Sequence, residues 1–368
     1  MSNRYAHLQQ LLEAGVSQQV YTAAVALVGL QGELLWQGAA GRLSKDRDAA
    51  AVTPDTVFDL ASLTKPLATT LALMILVDQG MISLDTPLGK ILPHDWLPPD
   101  KHRLTLGSLL THRSGLPAWR PFYSGVLAAP ASARPALLER LAAATPLEHA
   151  PDTVTQYSDL GFMLLKAVVE QVSGQELDQF CRCKIYRPFD LLTLGFNPRR
   201  QPGSTALRFA AAEPGLIPGR PDAGEVHDEN AWAAGGVAGH AGLFGTGQEV
   251  FDLAACLYQT YSGEEVGPLT PAVVKRFLTV PTGADRAYGF DTPSGDPARR
   301  AAGRYFSANS VGHLGFTGTS FWLDLETGQM VVLLTNRVHL GRDDKTKIQA
   351  FRPRFHEAAS RALGFHQS

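Results

Sequence analysis

The chain opens with an amphipathic pattern over residues 5 to 15, which predicts a short helix, and then changes period. Two short apolar runs follow, Ala23-Ala24-Val25-Ala26-Leu27-Val28 and Glu33-Leu34-Leu35-Trp36-Gln37-Gly38. They flank Gly29-Leu30-Gln31-Gly32, a four-residue connection with a glycine at each end, so the spacing predicts a hairpin. From Leu67 the pattern is apolar nearly all round (Leu71, Leu73, Met74, Ile75, Leu76, Val77), as in a buried helix. Pro66 fits the first turn of that helix, and Gly80 is its left-handed stop. Leu106 to Thr111, residues 134 to 144 and Leu160 to Val172 also read as helices, the last closed by Gly174. Thr246-Gly247-Gln248-Glu249 has the form of a capping box opening a helix to Tyr258.

Between about Pro198 and Gly247 the periodicity fades and Gly and Pro crowd in, as in long loops over a site. Strand character returns at Val311 to Thr319, Ser320 to Asp324 and Met330 to Thr335, with a turn at Glu326-Thr327-Gly328. A last helix covers roughly Lys347 to Leu363. Strands at both ends with helices between them predict an α/β (α+β) fold, an antiparallel sheet flanked by helices with a large, mainly helical insertion. The expected division is a sheet domain of residues 1–62 and 285–368 and a helical domain of residues 63–284, with the site at their junction.

Composition narrows the functional classes. At 368 residues the chain can bury a large core, and its formal net charge of −2 gives no electrostatic case for nucleic acid. Cys181, Cys183 and Cys256 form no disulfide framework and no paired zinc spacing, and read as structural thiols. The first residues, Met-Ser-Asn-Arg-Tyr-Ala-His-Leu-Gln-Gln, have no apolar signal region, and the expected location is the cytoplasm. The longest apolar run is interrupted by Thr69, Thr70, Asp78 and Gln79, so no membrane span is expected.

Three short stretches carry the candidate chemistry. Ser62 and Lys65 are three residues apart, which on a helix places both on one face. A serine hydroxyl needs a base within reach, and a lysine can serve once burial and a helix N-terminus lower its pKa. Tyr157-Ser158-Asp159 precedes a helix, and Gly312-His313-Leu314-Gly315-Phe316-Thr317-Gly318-Thr319 lies on a late strand. With Leu84-Asp85-Thr86-Pro87, Leu110-Thr111-His112-Arg113-Ser114-Gly115-Leu116-Pro117, Gly235-Gly236 and Leu243-Phe244-Gly245-Thr246, these resemble the serine beta-lactamase and penicillin-binding-protein superfamily. The resemblance is to the branch with class C beta-lactamases, D-alanyl-D-alanine peptidases and related esterases.

That resemblance implies Ser62 as acylated nucleophile, Lys65 as its basic partner and Tyr157 as proton relay to the leaving group. Asp159 stands where many relatives carry asparagine; its alternative role is the N-cap of the next helix, and a carboxylate there would favour the charged ammonium of Lys65. His313-Leu314-Gly315 matches the Lys-Thr-Gly element with histidine for lysine; the rival register is Phe316-Thr317-Gly318. Gly315 would let substrate lie along the strand, and the Phe316 N–H would join that of Ser62 as oxyanion hole. A histidine of ordinary pKa anchors a carboxylate less firmly than lysine, which favours esters, or amides lacking that carboxylate.

The tract Val226-His227-Asp228-Glu229-Asn230 through Gly239-His240-Ala241-Gly242 lacks the ligand spacing of a metal site and the Gly-Lys-Ser/Thr of a phosphate loop. It resembles one in relatives that accompany peptidoglycan-recycling glycosidases, and His227 and Asp228 are expected at the cleft rim. His112 is expected to order its turn. The expected function is a serine hydrolase working through a Ser62 acyl-enzyme on an amide or ester, with a small-molecule or peptidoglycan-fragment substrate and neither metal nor cofactor. The alternatives are a penicillin-binding sensor or scaffold that scarcely turns over, a carboxylesterase, or an inactive scaffold of the same fold.

Overall fold

Strand β1 (Ala23–Leu30) places Ala24, Ala26 and Val28 in one hydrophobic cluster and Ala23, Val25 and Leu27 in another. Burial on both faces explains a continuous apolar run where a half-exposed strand would alternate. In the computed structural model, which describes residues 3–201, 203–217, 219–220, 222–296 and 300–365, β1 is the second strand of a five-stranded antiparallel sheet. Pro202, Pro218 and Pro221 of the Gly/Pro-crowded stretch lie outside the described residues. The order is β2 (Glu33–Gly41), β1, β8 (Gln329–Thr335), β7 (Ser320–Asp324), β6 (Ser310–Leu314), with Ala26 opposite Leu333 and His313 opposite Phe321. Strands from the two chain ends thus share one sheet. A three-stranded sheet, β3 (Phe58–Asp59), β5 (Leu243–Gly245) and β4 (Gly195–Phe196), ties the nucleophile region to the late loops.

The β1–β2 connection is tighter than the sequence suggests. Gln31 and Gly32 alone form the turn, both at positive φ (52° and 88°), which matches the twist of a two-residue hairpin. Helices α1 (Ala6–Ser17) and α11 (Thr346–Leu363) cover one face of the sheet, packing Leu8, Leu12, Phe351 and Phe355 against Val331 and Leu333. The other face meets α9 (Gly247–Ser262), whose Thr246 and Glu249 form the expected capping box.

Beyond α9 lies the helical layer: α2 (Leu71–Asp78), α3 (Leu106–Leu110), α4 (Tyr123–Leu127), α5 (Arg134–Ala144), α6 (Asp159–Ser173), α7 (Leu177–Cys181), α8 (Glu229–Ala233) and α10 (Pro271–Leu278). The run Ala61–Asp78 is long and apolar enough to cross a membrane, and it is mostly buried at the centre of this core. Its start is not α-helical. A 3-10 turn (Ala61–Leu63) leads into a π-helical turn (Lys65–Thr70) before α2 begins. Pro66 has no N–H to give, and the Thr69 hydroxyl donates to the Gly239 carbonyl 2.7 Å away, so this stretch is held by its neighbours.

Candidate active site

Ser62 is presented by a left-handed residue. Ala61 has φ +48°, a conformation that costs a non-glycine residue about 1–2 kcal/mol. The fully buried Asp59 holds it there, since one carboxylate oxygen accepts from Ala61 N (2.8 Å) and the other from His227 N (2.7 Å). From the other side, the Thr317 hydroxyl donates to Asp59 O (2.8 Å) and the Thr319 hydroxyl to Leu60 O (3.2 Å). The turn between β6 and β7 is thereby lashed to the strand end that precedes Ser62. Gly315 belongs to this lashing. A Cβ there would collide with the Thr319 hydroxyl and approach Leu60 O, so glycine is required by the protein's own packing rather than by a ligand lying along a strand. The late strand also ends sooner than expected. β6 stops at Leu314, and Gly315 to Gly318 form a tight turn closed by Gly315 N to Thr319 O (2.8 Å) and Gly318 N to Gly315 O (3.0 Å).

Behind Ser62 the Lys65 ammonium, wholly buried, donates to Ser62 Oγ (3.2 Å), Asp159 Oδ1 (2.6 Å) and His240 O (3.2 Å). Burial alone would push its pKa down. The charge of Asp159 and the adjacent Tyr157 outweigh it and hold Lys65 above its ordinary value. The resting lysine is therefore an ammonium, opposite to what burial and a helix terminus suggest. Asp159 is not the cap of α6; Ser158 takes that place, accepting from Gly161 N (3.3 Å) and freeing Asp159 to face Lys65.

The Tyr157 ring lies 4.8 Å from the Lys65 nitrogen, which sets the phenol beside the Ser62–Lys65 pair. Burial of the phenol pushes it up to about 12, against the pull of Lys65. His112 orders this segment: its Nδ1 accepts from Ser158 N (3.0 Å) and its ring lies 4.5 Å from that of Tyr157. His313 is 6.0 Å from Tyr157, ring to ring, and burial pushes it down to about 4, so it is neutral at pH 7. Phe316, beyond the strand end, is 37% exposed, with its ring near the His227 ring (5.6 Å) and the cations of Arg337 (4.8 Å) and Lys345 (4.7 Å).

His227 and Asp228, expected at the cleft rim, make their contacts within the protein. His227 is buried, its Nε2 on Glu213 Oε2 (2.9 Å) beside the Arg342 guanidinium (3.2 Å). Asp228 Oδ1 caps α8 by accepting from Ala231 N (2.7 Å) and pairs with His240 Nε2 (3.0 Å). Asp228, half-buried, faces α8 because the helix begins here and its first amides need an acceptor, whereas His227 is drawn to the Glu213–Arg342 pair. The structure thus brings Ser62, Lys65, Tyr157 and Asp159 into contact and His313 to their edge. Sequence reasoning missed Asp59 and His240. Asp59 lay within the Phe58-Asp59-Leu60-Ala61-Ser62 stretch itself, as a polar residue in an apolar approach to the serine. Among the described residues no group of three or more potential metal-ligating side chains could hold an ion.

Residues 8–352 match the family described as Beta-lactamase. The chain is 30% identical over 360 residues to an N-acetylmuramyl-L-alanine amidase of Bacillus subtilis, covering 90% of this chain and 80% of that one. It is 31% identical over 360 residues to a putative D-alanyl-D-alanine carboxypeptidase of Escherichia coli, covering 89% and 82%. Among solved structures, a penicillin-binding protein homolog from Caulobacter crescentus superposes with a TM-score of 0.73 at 17% identity, covering 98% of each chain.

Proposed function

We propose, for a chain that belongs to the beta-lactamase family and is a serine hydrolase, that Ser62 is the residue acylated and that a peptidoglycan-derived amide is the acyl donor. The single observation carrying the site assignment is the contact of one lysine nitrogen with Ser62 Oγ and Asp159 Oδ1, with the Tyr157 ring 4.8 Å from that nitrogen. The resting pair of Lys65 and Tyr157 is fully protonated, so loss of one proton from that pair creates the base. Ser62 Oγ then gives its proton to this base as it bonds to the acyl carbon, and the oxyanion faces the N–H groups of Ser62 and Phe316. Breaking the C–N or C–O bond sends a proton from Tyr157 to the departing amine or alcohol. Water attacks the acyl carbon and yields a proton to the same base, the bond between Ser62 Oγ and the acyl carbon breaks, and Oγ takes that proton as the acid departs.

The neutral His313 supplies no charge where lysine would hold a substrate carboxylate, which argues against beta-lactams as the main substrates. The amidase and carboxypeptidase names of the relatives support a cell-wall fragment. A carboxylesterase is the second reading, favoured by the same uncharged His313. A panel of muramyl-peptide, D-alanyl-D-alanine peptide, short-chain nitrophenyl ester and chromogenic lactam, run with wild type and Ser62→Ala, tests both. The muramyl amide is expected to turn over fastest, with loss of all activity in Ser62→Ala. A faster ester would select the second reading, and an active Ser62→Ala would overturn the assignment.

A further inference from the structure

An ammonium has three N–H groups, and those of Lys65 are directed at two side chains and one backbone carbonyl, that of His240. The carbonyl belongs to a glycine-rich stretch, Gly235-Gly236-Val237-Ala238-Gly239-His240-Ala241-Gly242, whose intrinsic backbone freedom is high. Two hydroxyls pin the stretch on either side of His240: Thr69 through Gly239 O (2.7 Å) and Thr64 through Leu243 N (3.0 Å). The imidazole of His240 supplies the third hold. It is 1% exposed, and among the described residues the ring's one hydrogen bond runs from Nε2 to Asp228 Oδ1. Burial opposes the charge of Asp228, yet His240 and the Ala231 N–H keep that carboxyl down at about 2. The acceptor that fixes the imidazole is therefore a carboxylate at neutral pH, and it is itself fixed to the first turn of α8.

We propose that Asp228 and His240 are a positioning pair for the serine reaction. Asp228 anchors the His240 ring, the ring fixes its own backbone carbonyl, and the carbonyl aims the Lys65 ammonium at Ser62. Neither side chain touches substrate. The inference rests on the Ser62 reading and adds to it two residues that set the rate of acylation without contributing to binding.

Asp228 also caps α8, so the substitution must separate the two roles. Asp228→Ser keeps a capping hydroxyl but is too short to reach His240, and Asp228→Asn keeps both acceptor and cap. His240→Asn removes Nε2 while leaving the cap untouched. The assay follows turnover of p-nitrophenyl butyrate and labelling of Ser62 by a fluorophosphonate, with thermal unfolding recorded alongside. Asp228→Ser and His240→Asn are each expected to lower kcat and the maximal labelling rate at least fivefold, with KM and the probe's half-saturation within twofold. Asp228→Asn should recover most of the rate, and the double variant Asp228→Ser/His240→Asn should be no slower than either single one.

A loss below fivefold in both variants, a loss confined to KM, or losses that multiply in the double variant would overturn the pairing. Should His240→Asn fail to fold, Asp228→Ser against Asp228→Asn carries the test alone. Ser62→Ala separates the two levels. If it labels and turns over like wild type, the Ser62 reading falls. If it is inert while Asp228→Ser and His240→Asn match wild type, only the positioning pair falls.

Discussion

Lys65 has two neighbours with opposite demands: Ser62 needs a base, and Asp159, 2.6 Å away, stabilises the acid. Because Asp159 and Tyr157 hold the lysine above its ordinary value, and Tyr157 is at about 12, the proton lost to form the base leaves only above neutrality. For an uncharged ester, log kcat/KM is expected to rise with a slope near one from about pH 6 to pH 9. His313, at about 4, should add no inflection between pH 5 and 8. Asp159→Asn removes the charge that raises Lys65, so the rise should move at least one unit toward acid. An unmoved profile would show that Lys65 is not in the proton path. The Ser62–Lys65 contact was legible in their spacing, because residues three positions apart on a helical turn share a face. The ammonium state was not, since it depends on Asp159, 94 positions away and released from capping by Ser158.

At the scale of elements, the serine is held by turns rather than by one long helix. Ala61 at positive φ, the Asp59 carboxylate and the two threonines of the β6–β7 turn all bear on the residue before it or on its strand. Gly315→Ala is expected to destabilise the protein by about 1–3 kcal/mol, as small-to-large changes in packed sites do, and to slow Ser62 labelling, because the added methyl meets Leu60 O. Chemical denaturation together with fluorophosphonate labelling checks both; an unaffected labelling rate would remove the turn from the site's support. Helices such as α5, α6 and α9 were readable from periodicity and caps. The end of β6 was not, because an apolar alternation runs on through Gly315 to Thr319 while the chain has already turned back.

Over the whole molecule, strands from the two chain ends close one sheet, and a charged knot beside Phe316 fastens the late loops to it. Glu213 takes Arg342 Nε (2.6 Å) and His227 Nε2 (2.9 Å), and although burial opposes its charge, these partners bring the carboxyl down to about 2. A depressed carboxyl stabilises the fold above its unfolded pKa and ceases to do so as pH falls through its folded value. Wild type should therefore exceed Glu213→Gln by about 1 kcal/mol at pH 7, allowing for partial solvent screening, and the gap should close between pH 4.5 and 2. A gap independent of pH would mean that Glu213 acts through shape alone. The alternation of strands and helices made the mixed sheet-and-helix architecture readable, whereas this knot joins residues more than a hundred positions apart and leaves no local pattern. All of these arrangements converge on one oxygen. The most direct measurement is intact mass and peptide mapping after exposure to a fluorophosphonate: a single adduct on Ser62, absent from Ser62→Ala and slowed in Lys65→Ala, is the predicted result, and an adduct on any other residue, or none, would contradict it.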